Sequence, residues 1–201
     1  MEKIVLILLC IFVSTAGTSQ TLSDDERRFA VDLLQANTKK FLAAIESVSD
    51  AQWKFRTAPD KWSIADVSEH ITAAENSLLS LTQRILLSPA DLEKSKVLAG
   101  QEQIILTKAA DRSIKRQAPE MIIPTGKFSS KDELVRAFIA AREKTVNYIK
   151  TTNDSLKVHV APHPAVGDLT AYQWLVWIAA HADRHVAQLE EIKASANYPK
   201  P

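Results

Sequence analysis

Apolar residues recur at three- and four-residue intervals in four stretches of this 201-residue chain, and each stretch begins at a capping signal. The first opens at Ser23-Asp24-Asp25-Glu26, where Ser23 and Glu26 have capping-box spacing, and it carries Phe29, Leu33, Leu34, Phe41, Leu42 and Ile45 on one helical face. The second takes Ser63 as its N-cap and runs to about Leu86 through Val67, His70, Ile71, Ala74 and Leu78. The third opens on a capping box of Ser130 and Glu133 and continues through Leu134, Phe138, Ala141, Thr145 and Tyr148. The fourth opens at Thr170 with Gln173, after the helix-breaking APHPAVGD, and runs to about Ser195.

The chain between the second and third stretches is less regular. Ser88-Pro89 starts a shorter helix ending near Ala110, and APEMIIPTGKFS, with its prolines and glycine, reads as a loop. Leu156 to Val160 alternates briefly, but no partner strand is evident. Four main helices and one long crossover predict an all-α fold, a four-helix bundle with a long crossover, over residues 21–201.

Residues 1–20 stand apart. One early lysine, an apolar run from Ile4 to Val13 and then small residues make the pattern of a secretory signal peptide, cleaved between Ala16 and Gln20. The run is short for a membrane span, and a retained N-terminal anchor is the alternative. Cys10 follows Leu9, where a lipoprotein signal needs a small residue. The expected location is therefore exported, periplasmic or secreted. The only cysteine leaves with that peptide, so residues 21–201 hold no disulfide, thiolate nucleophile or cysteine-ligated metal. The 25 basic and 24 acidic residues are interspersed, which gives no electrostatic case for nucleic acid or an anionic membrane surface. No stretch after residue 20 is apolar for long enough to cross a membrane.

The apolar face of the fourth helix carries Trp174, Trp177, Ile178, then His181, His185, Gln188 and Ile192. His181 and His185 are four apart and point the same way, so they are either a metal-binding pair or two core imidazoles sharing a face. Imidazoles buried without partners would cost a few kcal/mol each. His70 holds the same kind of position on the second helix, and bundle interiors are where facing helices assemble metal sites. One histidine from one helix and two from another leave coordination positions open for water or substrate.

Two segments resemble a known family. KWSIADVSEHITAAEN is similar to the second-helix signature of the DinB-like superfamily, and HPAVGDLTAYQWLVWIAAHADRHVAQLEEI to its last helix, with the H-x-x-R-H-x-x-Q-like ending falling on His181, Arg184, His185 and Gln188. The segment from Asp111 to Lys144 resembles the family's variable crossover, and the likeness covers residues 24 to 196. The resemblance implies a four-helix bundle with one divalent ion held by His70, His181 and His185. Three imidazoles suit zinc, nickel, iron and copper alike, and zinc or nickel is the ion expected here. Some members of that family activate a low-molecular-weight thiol, whereas many have no known reaction.

The remaining candidates are weaker. Gln188 either fixes a ligand tautomer or is an ordinary helix-face amide, and Trp177 is expected to pack in the core, with walling the pocket the alternative. His163, between Pro162 and Pro164, is expected as an exposed loop residue, with a place at the pocket mouth the alternative; His159 lies in the same loop. Asp183 and Arg184 lie off the histidine stripe, and Glu69 points about 100° from His70 and is not taken as a general base. There is no H-E-x-x-H, no E-x-x-H, no G-x-S-x-G elbow, no P-loop and no G-x-G-x-x-G. The sequence therefore points to a metal-dependent hydrolase or transferase of a small-molecule substrate. A non-catalytic bundle with a structural metal is the rival reading, and either is compatible with a homodimer.

Overall fold

Side-chain caps set where the helices start in the computed structural model, which describes residues 20–113 and 117–200. The proposed signal peptide and Cys10 lie outside the described residues. Ser23, Ser63 and Thr170 each form a reciprocal capping box, opening α1 (Asp24–Ile45), α3 (Ile64–Ile85) and α7 (Ala171–Lys193). α6 (Lys131–Thr151) is capped by Ser130, but its Glu133 carboxylate turns to the backbone and hydroxyl of Ser129, so the expected box is only half formed. A five-residue helix, α2 (Asp50–Lys54), has its own box of Ser49 and Gln52.

These four long helices make the bundle. Tyr172 at the start of α7 donates to the carbonyl of Glu26 at the start of α1 (3.2 Å), so the two run parallel. Arg27, also near the start of α1, donates to the carbonyls of Ile149 and Thr152 at the end of α6 (2.5 and 2.7 Å), so α6 runs against α1. Ile64 and Val67 near the start of α3 pack in one cluster with Leu134 and Phe138 near the start of α6, which sets those two parallel. Around the bundle the order is α1, α7, α3, α6, and parallel neighbours alternate with antiparallel ones. Two parallel consecutive bundle helices need a connection that returns the length of the bundle, about 33 Å for 22 residues, and the crossover after α3 supplies it.

The expected single helix in that crossover is two: α4 (Leu92–Leu98) and α5 (Glu102–Ala110). Gly100 separates them at φ +76°, a left-handed conformation that ends a helix. α5 lies against α7. The loop expected over APEMIIPTGKFS contains a 3-10 turn at Glu120–Ile122, which packs on α3. A second correction concerns the chain before α7. Val160–His163 (β1) and Gly167–Thr170 (β2) pair antiparallel, with Val160 opposite Thr170 and His163 opposite Gly167. Each strand is four residues long and β1 contains Pro162, too little for a two-residue period to register in the sequence.

Two apolar clusters divide the interior. One gathers Leu34, Ile85, Ile149, Leu156, Leu175 and Ile178; the other holds Phe41, Ile45, Ile64, Ile71, Phe138 and Leu189. In the second, Phe41 and Phe138 meet edge to face with centroids 4.6 Å apart. Phe29, expected on the buried face of α1, is 39% exposed, because the buried stripe follows Ala30, Leu34, Asn37, Phe41 and Ile45 and leaves position 29 at its edge. Buried polar residues lie between the clusters: Asn37 from α1, Glu75 from α3 and Arg142 from α6.

Candidate metal centre

His70 reaches the interior from the second turn of α3. That helix start is firmly held: Asp66 accepts from the backbone N–H and hydroxyl of Ser63 (2.7 and 2.6 Å) and pairs with Arg56 (2.7 Å). His181 and His185 come from adjacent turns of α7, which runs antiparallel to α3 and presents its apolar face to it. The three imidazoles converge. His70 Nε2 lies 3.3 Å from His181 Nε2 and 3.1 Å from His185 Nε2, and one ligand atom from each ring falls within a 4.8 Å group.

The opposite ring nitrogens fix what those Nε2 atoms are. His70 Nδ1 lies 2.8 Å from the carbonyl oxygen of Ile122 in the 3-10 turn. A carbonyl only accepts, so Nδ1 carries the proton and a neutral ring presents a bare lone pair at Nε2. His185 Nδ1 lies 2.8 Å from Gln188 Oε1, and with the amide in this orientation Nδ1 is the donor and Nε2 is bare in the same way. Two lone pairs therefore face one another at 3.1 Å with no proton between them.

Charge on the rings does not relieve this. Burial holds His70 below the usual imidazole range. Burial, together with the neighbouring His185 and His70 charges, pushes His181 well below it. His185 is lowered to about 3, chiefly by burial and then by His70, against the opposing effect of its hydrogen bond to Gln188. Neutral imidazoles are the form that ligates a metal.

The donor set fits a divalent ion. Two nitrogens at about 2.0–2.1 Å from one ion with tetrahedral angles lie about 3.3–3.4 Å apart, close to the observed 3.1 and 3.3 Å separations. His70 is buried, whereas His181 and His185 are partly exposed. Trp62 flanks His70 with ring centroids 4.8 Å apart, and the Trp177 ring stands 6.3 Å from that of His181.

The other candidates sort clearly. Gln188 is in place against His185. His163 is not an exposed loop residue: it is 8% exposed, because the hairpin folds it onto Trp177 and Trp174 with centroids 4.1 and 4.8 Å away. His159 is half-buried, its Nδ1 donating to the carbonyl of Ser88. Asp183 turns to the α1 side, accepting from Asn37 and Lys40. Arg184 reaches back to the carbonyls of Ala109 and Asp111 at the end of α5. Glu69, adjacent to His70, accepts from the backbone of Thr125 and Gly126 instead of facing the cluster. Sequence reasoning missed Ile122, whose role is carried by a backbone carbonyl and leaves no trace in residue type.

Known proteins are similar to this chain in sequence or in fold. YuaE of Bacillus subtilis (strain 168), an uncharacterized protein, is 28% identical over 149 residues, covering 74% of this chain and 88% of its own. YfiT from Bacillus subtilis, "a probable metal-dependent hydrolase with an unusual four-helix bundle topology", is similar in structure, with a TM-score of 0.55 at 14% identity, covering 89% of this chain and 92% of that one. The model of the DinB superfamily matches residues 33–189, a span that includes all three histidines and most of the bundle. This chain belongs to the DinB superfamily.

Proposed function

We propose that His70, His181 and His185 hold one divalent cation, zinc or nickel, and that the protein is a metal-dependent hydrolase or transferase acting on a small molecule. The observation that carries the reading is the pair of bare Nε2 lone pairs at 3.1 Å, which repel one another unless a cation sits between them. Such an ion, when bound, supplies Lewis-acid polarisation of an oxygen in substrate or water. The chain's own residues do the rest. Ile122 and Gln188 hold two rings in the ligating tautomer, and Trp62 and Trp177 flank the approach with flat apolar surface. Partial exposure of His181 and His185 favours an open, catalytic site over a sealed structural one. The fold shared with YfiT, itself called a probable metal-dependent hydrolase, supports the same reading.

Metal content of the purified protein by mass spectrometry tests it, with a His181→Ala, His185→Ala variant alongside. Near one equivalent in the native protein and none in the variant is the expected result. No metal in either, after reconstitution with zinc and with nickel, would sink the proposal. Hydrolysis and thiol transfer are then separated by screening electrophilic and ester substrates with and without an added thiol.

The reading includes export. Its support is the order of lysine, apolar run and small residues in positions 1–20. Intact mass of the protein recovered from the cell envelope or medium would show a chain beginning between positions 17 and 21, and a full-length cytosolic product would refute it.

A further inference from the structure

The crossover segment that supplies the Ile122 carbonyl packs on α3 with one buried apolar side chain. Of its three consecutive apolar residues, Met121 is 73% exposed and Ile123 46%, and only Ile122 is buried. A backbone oxygen that orients a metal ligand nevertheless has to stay within a few tenths of an ångström.

Glu69 answers that need. It is 5% exposed, and its carboxylate lies under the same segment. Oε1 accepts from the backbone N–H of Thr125 (2.9 Å) and from its hydroxyl (3.0 Å), and Oε2 accepts from the N–H of Gly126 (2.9 Å). Gly126 sits at φ +74°, so successive N–H groups of the turn converge into a concave anion nest that the carboxylate fills. Burying a carboxylate is unfavourable unless its oxygens are satisfied, and here three donors satisfy them. Glu69 and His70 are consecutive on α3, so the two anchor points, Thr125–Gly126 and Ile122, are tied to a single rigid stretch of helix.

We infer that Glu69 is a positioning residue: by clamping the crossover through Thr125 and Gly126, it keeps the Ile122 carbonyl where it fixes the His70 ring for ligation. The inference rests on the metal reading above but acts on a feature of the metal-free protein as well. Exchanging Glu69 for glutamine keeps one acceptor oxygen and turns an N–H toward the Gly126 N–H, which opens half of the clamp. Alanine at Gly126 meets no atom within 4 Å but must adopt the left-handed φ, so it disturbs the nest from the loop side and leaves α3 untouched.

The test compares native protein, Glu69→Gln and Gly126→Ala in two measurements. Zinc affinity is read by competition with a chromophoric chelator, and the His70 tautomer by nitrogen-15 NMR of the imidazole in metal-free protein. The expected result is a zinc affinity about 10–100-fold weaker in Glu69→Gln, with a smaller loss in the same direction in Gly126→Ala. In the metal-free variants His70 should change from one tautomer, protonated at Nδ1, to a mixture. General destabilisation would not by itself move that tautomer. Unchanged affinity together with a single retained His70 tautomer overturns the inference. Should the native protein bind neither zinc nor nickel, the metal reading falls and the tautomer alone decides the role of Glu69. Should Glu69→Gln fail to fold, Gly126→Ala decides both measurements.

Discussion

The guanidinium of Arg142 on α6 meets the carboxylate of Glu75 on α3 at 2.9 Å, with the two side chains 4% and 1% exposed. The pair lies between the two apolar clusters and continues across the bundle. Arg142 also donates to Asn37 Oδ1 (3.0 Å) on α1, and Asn37 Nδ2 donates to Asp183 (3.0 Å) on α7, so one hydrogen-bonded chain touches all four long helices. Burial opposes both charges, pushing Glu75 up and Arg142 down from their ordinary ranges. Glu75 Oε1 and Arg142 Nε remain unpartnered, so the pair does not recover all it loses by leaving water. We read this layer as fixing helix order and register more than adding stability.

From that follows an asymmetry. Arg142→Met alone should destabilise by about 3–5 kcal/mol, because it strands a buried carboxylate. Adding Glu75→Leu should recover most of the loss. Urea unfolding of the two single variants and the double variant, taken as a double-mutant cycle, checks it; a double variant less stable than Arg142→Met would refute it.

Gln188 should matter to the metal and hardly to the fold. It is partly exposed, and its one bond of note holds the His185 tautomer at 2.8 Å. Gln188→Ala is expected to weaken zinc binding about 10–100-fold, with a stability change within about 0.5 kcal/mol. Chelator competition and thermal melting of the metal-free protein measure the two separately.

Much of this was legible in the sequence. Capping pairs gave the starts of α1 and α7, because a capping box is a local contact written in two residues three apart, and Ser63 as a lone N-cap gave the start of α3. His181 and His185 were visible as a break in an apolar stripe. Asn37, Glu75 and Arg142 carry the same signal, each a polar residue among buried apolar neighbours of its helix. One such residue per helix does not reveal its partners on the others. The hairpin, and with it the burial of His163 against two tryptophans, depends on tertiary packing that no short sequence period encodes.

Metal should stabilise the fold by mass action. At a free concentration 100 times the dissociation constant, binding contributes about 2.7 kcal/mol. For a chain of this size that is a rise in Tm of about 5–10 °C. Calorimetry with and without zinc measures it, and the His181→Ala, His185→Ala variant should show none. An equal rise in the variant would place the ion elsewhere.

The metal-free protein should lose stability as the solution is acidified below neutrality. All three imidazoles titrate below their ordinary range in the folded chain, so between an unfolded value of about 6.5 and the folded values the unfolded state binds more protons. Stability is then fully present above pH about 6.5 and falls with pH, for His185 down to its folded value of about 3. With solvent screening of a partly exposed ring, His185 alone should account for about 1 kcal/mol between pH 6.5 and 5. Urea unfolding at pH 7.5, 6.0 and 5.0 reads the slope. His185→Gln should flatten it, since the glutamine has no proton to gain, and bound zinc should steepen it, since protons and metal then compete for the same Nε2 atoms. A metal-free slope unchanged by His185→Gln would assign the acid sensitivity to other groups.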